Sequence, residues 1–172
     1  MSDQQWKFRL ASVRLLAFDV DGVFTDGRFY LSDDGVESKA FHTHDGYGIR
    51  QVVEAGIKVA VISGRHSAAV QQRMQELGVQ HIYLGCGNKV ATFEDMLTTL
   101  GVTYAQSAYT GDDIPDMALL QKCAVSFAVA NAHAEVKAAC DYTTLKAGGH
   151  GAVREICDLL LAALPQETDR QP

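Results

Sequence analysis

Short runs of unbroken apolar residues, each closed by an acidic or small polar residue, constrain this chain more than any other feature. They fall at 14–20 (RLLAFDV), 57–62 (IKVAVI), 81–84 (HIYL), 105–110 and 125–129, with a weaker sixth at 141–144. A strand with one wet face alternates apolar and polar residues, whereas an unbroken run fits a strand covered on both faces of a parallel sheet. Between the runs the apolar spacing becomes helical. Val70, Met74 and Leu77 share one face, and Val90, Phe93, Leu97 and Leu100 recur at steps of 3, 4 and 3. Gly78 and Gly101 stand where these helices should stop. Val153, Ile156, Cys157, Leu160 and Leu164 form a last stripe. Alternating strand and helix implies right-handed crossovers and a doubly wound, Rossmann-like α/β sheet. The 172 residues suit one domain, 1–172, with a polar tail at about 165–172 expected to fray.

One segment breaks the rhythm. Residues 23–44 follow the first strand, where a helix is expected, and instead carry Phe29-Tyr30-Leu31, then Ser32-Asp33-Asp34-Gly35, then an extended stretch to Phe41. This pattern predicts a β-hairpin around an Asp-Gly turn. Phe24, Phe29, Leu31 and Phe41 would be exposed on it. A lone hairpin is marginal in water, so it must lean on the body or on another subunit.

Fifteen Lys and Arg against 21 Asp and Glu give a formal charge of −6, and no basic run occurs. That balance argues against nucleic acid as the main partner, because phosphate backbones attract positive surface. No stretch has the apolar length of a membrane span, and the first nine residues lack the apolar core of a signal peptide. Cys86, Cys123, Cys140 and Cys157 form no CxxC pair and read as reduced thiols of a cytoplasmic protein.

The strand ends carry the chemistry, since ligands of doubly wound sheets bind beyond the carboxyl ends of the strands. Asp19 and Asp21 close the first run, with Asp26 a little further on. Asp112, Asp113 and Asp116 follow the run at 105–110. Each group has a plain alternative, an acidic turn for the first and a favourable helix N-terminus for the second. Carboxylates from two strand ends at one edge would repel one another unless a cation bound, and hard oxygen ligands suit Mg2+. Ser63-Gly64-Arg65 after the second run makes either an anion cradle or an N-cap with a glycine turn. Lys89 after the third stands at a helix start, where a cation is electrostatically misplaced unless an anion or carboxylate lies nearby. Carboxylates for a metal, a hydroxyl with amides for an anion, and one lysine together match phosphoryl transfer through a carboxylate nucleophile. No GxxxxGK[ST] loop is present to support nucleotide hydrolysis.

In that order the motifs FDVDG, ISGR, Lys89 and GDDIPD resemble those of the haloacid dehalogenase-like superfamily of phosphatases. The resemblance implies that Asp19 attacks phosphorus and that Asp21 protonates the leaving oxygen and later activates water. It implies that Asp19, the Asp21 backbone carbonyl and Asp112 hold Mg2+, with Asp116, or else Asp113, behind them. Ser63 and Lys89 would grip the phosphoryl oxygens. Members usually carry a large cap domain; here the hairpin alone fills the first slot, and residues 67–111 leave no room for a second. Over nearly its whole length the chain is similar to the capless 3-deoxy-D-manno-octulosonate 8-phosphate phosphatases of Gram-negative bacteria, through DGVFTDGRFY, DGYGIR, SGR and GGHGAVREICDLLL. That similarity implies a homotetramer with hairpins at the subunit interface, a role in lipopolysaccharide biosynthesis, and sugar-acid contacts at Asp21, His42, Thr43, His44, Asp45, Gly46, Arg50, Gly64, Arg65, Arg73 and Lys89. His44 and His150 stand where such proteins often carry arginine. A phosphatase for a nine-carbon keto-sugar acid phosphate, or a non-catalytic oligomerisation domain, are the other readings.

Overall fold

A computed structural model describes residues 5–165. Its elements are α1 (Gln5–Leu10), β1 (Leu15–Phe18), β2 (Tyr30–Leu31), β3 (Glu37–Ser38), α2 (Thr43–Glu54), β4 (Lys58–Ser63), α3 (Ala68–Glu76), β5 (His81–Leu84), α4 (Lys89–Leu100), β6 (Ser107–Gly111), α5 (Met117–Leu120), β7 (Val125–Ala128), α6 (Ala134–Ala139), β8 (Tyr142–Thr143) and α7 (Ala152–Ala163). Six strands form one parallel sheet in the order β5-β4-β1-β6-β7-β8, and β2 pairs with β3 in a separate ribbon. Every residue of β1, β6 and β7 is buried, as unbroken apolar runs require of a sheet covered on both faces. The polar tail at 166–172 lies outside the described residues.

Register decides where chemistry can occur. Phe18 of β1 pairs with Val61 of β4 and Thr110 of β6, so Asp19, Ser63 and Gly111 emerge at one edge of the sheet. The Asp19 N–H donates to the Thr110 carbonyl at 2.9 Å and carries the ladder one residue further.

The helix α2 is absent from the expectation. Its cap and first turn carry His42, Thr43, Asp45 and Gly46, which the resemblance places at the sugar acid, and Gly48 interrupts its apolar spacing. Packing explains the glycines. A side chain at Gly48 would meet Arg154 Cδ and Cys157 Cβ of α7 at 3.0 Å, and one at Gly46 would collide with the Arg73 guanidinium.

The hairpin also differs from expectation. Only Tyr30 with Ser38 and Leu31 with Glu37 are paired, and residues 43 and 44 belong to α2. Phe24 is buried, with its ring edge-on to Phe18 at 5.2 Å, because the N–H groups of residues 23–25 fold back onto the Val20 carbonyl. Phe41 packs partly against the core. On the hairpin the exposed large apolar residues are Phe29, Tyr30, Leu31 and Val36.

Candidate active site

At the end of β1 the chain turns sharply. Gly22 has φ +89°, and a Cβ there would overlap the Asp112 carboxylate, so this position requires glycine on both counts. The buried Thr25 accepts the N–H of Gly22 at 3.3 Å and of Gly27 at 3.2 Å through its hydroxyl. The 146–151 loop closes the turn from behind, where a side chain at Gly148 would overlap the Gly22 carbonyl.

Asp19 is buried and its Oδ1 lies 2.9 Å from Lys89 Nζ. The same ammonium lies 2.8 Å from Oδ1 of Asp116, which is 1% exposed. The lysine at a helix start thus stands between two carboxylates, which resolves its apparent misplacement. Asp116 is fixed from three sides: Lys89, the Tyr109 hydroxyl donating to Oδ1 at 2.8 Å, and the Asp112 N–H donating to Oδ2 at 3.3 Å. It folds over Gly111, where any Cβ would collide with it. At the end of β4 the buried Ser63 hydroxyl accepts the Arg65 N–H at 3.2 Å, leaving its proton available to a ligand.

Asp19, Asp112 and Asp116 each offer an oxygen within 4.8 Å of the others. Burial and then the charge of Asp116 raise the Asp19 carboxyl to about 6, against the pull of Lys89. Burial, then Asp19 and Asp116, raise Asp112 to about 7. Burial opposes the charge of Lys89, but Asp19 and Asp116 together hold its proton more tightly than usual. Three crowded carboxylates against one ammonium leave negative charge that a hard divalent cation would neutralise, so the residues fit Mg2+. Asp116 is committed to Lys89 and Tyr109, which leaves Asp19 and Asp112 as the side chains to hold the ion.

The other expected residues divide into groups. Asp21 bonds Lys39 of the hairpin, and Arg65 Nε lies 3.7 Å from its second oxygen. Asp26 and Asp113 do not join the crowd. Asp26 accepts the Arg28 N–H, and Asp113 accepts the Ile114 N–H at 2.8 Å and caps its own turn. Asp45, expected at the substrate, is 2% exposed and its Oδ1 accepts the Arg154 N–H at 2.8 Å. It caps α7 from outside, because the residue at that helix start is Gly151 and has no side chain to do so. His42 caps α2, and with His44 and His150 it lines a cleft of about 680 Å³. Thr43, Gly46, Arg50 and Arg73 line a separate cavity of about 270 Å³, where both arginines also contact Glu76. Gly64 is exposed, and apart from its chain neighbours the nearest heavy atom to where its Cβ would be is the Cys86 carbonyl at 3.9 Å, so its backbone is open to a ligand.

Sequence reasoning missed Lys39, Glu37 and Tyr109. Glu37 and Lys39 are two apart and so share a face of an extended strand, the one signal that could have paired them. Nothing in an apolar run singles out Tyr109 as a phenol aimed at a carboxylate.

The family model for haloacid dehalogenase-like hydrolases matches residues 85–156. The 3-deoxy-D-manno-octulosonate 8-phosphate phosphatase KdsC of Escherichia coli K12 is 47% identical over 152 residues, 88% of this chain and 81% of that protein. The crystal structure of the Yersinia pestis phosphatase of the same name superposes with a TM-score of 0.91 at 42% identity, covering 93% of this chain and 86% of that one. A Moraxella catarrhalis phosphatase of that name, in complex with a magnesium ion, a phosphate ion and KDO, gives a TM-score of 0.91 at 38% identity, covering 93% and 92%.

The carboxylate crowding has a measurable consequence. The folded chain keeps the protons of Asp19 and Asp112 up to about 6 and 7, whereas a free Asp loses its proton near 3.8. Stability from this source is complete below pH 3.8 and lost as pH rises through 6 and 7. In EDTA at pH 8, Asp112→Asn therefore raises the thermal midpoint, by about 2–4 °C for each kcal/mol of repulsion relieved. At about pH 5 that gain shrinks, and below pH 3.8 it disappears because Asp112 is then protonated in both the folded and the unfolded chain; the upward shift on adding Mg2+ at pH 8 is lost in the variant. An equal effect at both pH values would contradict the account.

Proposed function

The chain belongs to the haloacid dehalogenase-like hydrolases, among the 3-deoxy-D-manno-octulosonate 8-phosphate phosphatases, and on that premise we propose that it is a capless single-domain phosphatase that hydrolyses this ester to the free sugar acid and inorganic phosphate. The observation that carries the proposal is the buried Asp19 carboxylate, 2.9 Å from Lys89 and crowded by Asp112 and Asp116.

The residues divide the work as follows. An Asp19 oxygen attacks phosphorus, and the bond from phosphorus to the sugar's C8 oxygen breaks. Asp21 delivers a proton to that departing oxygen. Water then attacks the aspartyl-phosphate, Asp21 takes its proton, and phosphate leaves with Asp19 restored. Lys89 keeps Asp19 ionised and, with the Ser63 hydroxyl and the open backbone at Gly64, faces the phosphoryl oxygens. Held by Asp19, Asp112 and the Asp21 carbonyl, Mg2+ supplies positive charge against the transferring phosphoryl group. Asp116 and Tyr109 fix the lysine rather than touch substrate. Arg65, His42, His44, Thr43, Gly46, Arg50 and Arg73 are the side of the site that meets the sugar acid, whose carboxylate suits arginine forks.

In one chain the two cavities and the strand ends are separate lining sets. We therefore propose that the working form is a tetramer in which the exposed face of the hairpin meets a neighbour, and that it acts in the cytoplasm in lipopolysaccharide synthesis. Among the described residues no helix is long and apolar enough to cross a membrane.

Phosphate release from a panel of sugar phosphates tests the activity. We expect preference for the eight-carbon ester, loss in EDTA, and a fall of about 1000-fold or more in Asp19→Asn. Preference for a nine-carbon ester would overturn the substrate, and full turnover by Asp19→Asn would overturn the chemistry. Leu31→Ser with Val36→Ser leaves the Arg65–Phe29 contact intact and should give smaller species in light scattering; an unchanged mass would show that the hairpin is not the subunit contact.

A further inference from the structure

The hairpin delivers one charged side chain into the body of the protein. The Lys39 side chain is 1% exposed, and its ammonium bonds Oδ1 of Asp21 and lies 3.6 Å from Oε1 of Glu37. Arg65, from the end of β4, closes the circuit: Nη2 is 2.8 Å from Oε2 of Glu37, and Nε is 3.7 Å from Oδ2 of Asp21. Its guanidinium also sits 4.2 Å over the Phe29 ring. Two acids and two bases thus alternate around a ring that joins the hairpin to two strand ends.

A buried ammonium is costly unless its partners compensate it, and a long flexible side chain gives up its rotamer freedom to stay there. A two-pair hairpin could be anchored more cheaply by apolar packing. Instead, the lysine is spent on one particular oxygen. The other oxygen of Asp21, Oδ2, is buried and has no hydrogen-bond partner. One oxygen is held by a hydrogen bond, and the other has only the Arg65 guanidinium beside it, at 3.7 Å.

We infer that Lys39 is a positioning residue for the reaction: by holding Oδ1 it fixes the Asp21 carboxyl so that Oδ2 faces the departing oxygen and carries the proton to it. The inference rests on Asp21 serving as the proton donor proposed above. Lys39 itself touches neither phosphate nor sugar. Because Lys39 lies on the hairpin, the same contact ties the aim of the proton donor to hairpin placement.

The test separates aim from general support by leaving group. A sugar phosphate needs its departing oxygen protonated; p-nitrophenyl phosphate does not. The readout is kcat/KM with Mg2+, which covers the steps up to departure of the leaving group. In Lys39→Met the ratio of sugar-phosphate to p-nitrophenyl-phosphate kcat/KM should fall about 10-fold or more. Lys39→Arg should restore most of it, and in an Asp21→Asn background Lys39→Met should leave the ratio unmoved. Thermal melting of each variant reports folding, and Lys39→Gln repeats the measurement if the methionine variant aggregates. A fall common to both substrates, or no fall, would overturn the role of Lys39 while leaving the phosphatase standing. No turnover of either substrate by the unaltered chain would overturn both.

Discussion

One buried ammonium holds the site together. Lys89 lies between Asp19 and Asp116, from strands that are neighbours in the sheet, at 2.9 and 2.8 Å. Without it, three carboxylates would meet at the edge of a low-dielectric core, and like charges there are expensive. With it, one unit of repulsion is cancelled and the remainder is left for a cation. The glycines follow from the same constraint. Gly22 and Gly111 are where backbone must let Asp112 and Asp116 lie against it, and a methyl group at either would displace a carboxylate.

The sheet needs no special device to reach this arrangement. Apolar runs form strands buried on both faces, and the parallel register of β1 with β4 and β6 brings three strand ends to one edge. What had to be specified was residue identity at those ends. This is why so much of the site was legible. Asp19, Ser63, Lys89 and Asp112 each directly follow an apolar run or open a helix, and the order of the four marks one kind of chemistry. Local rules alone left each of them with an ordinary alternative, and what sets Asp19, Lys89 and Asp112 apart is that the fold gathers them at one edge of the sheet.

What escaped the sequence escaped for physical reasons. Helix α2 was hidden by glycines whose purpose is contact with α3 and α7 rather than local conformation. Phe24 looked exposed because its neighbours belong to the hairpin, yet its own turn folds back under β1. Asp45 sits in a motif that suggests a ligand, but its carboxylate caps a helix more than a hundred residues away in the chain. Lys39 and Glu37 look like solvated charges on an edge strand, and only the tertiary ring with Asp21 and Arg65 gives them a role. Long-range pairing of charges carries no local sequence signature.

The account stands or falls on which atom receives the phosphoryl group. A crystal grown with Mg2+ and vanadate should place vanadium within bonding distance of an Asp19 oxygen, with Lys89 still bridging to Asp116 and the Asp112 carboxylate turned to the metal. Vanadate bonded elsewhere, among the histidines at 42, 44 and 150 for instance, with Asp19 touching only Lys89, would contradict it.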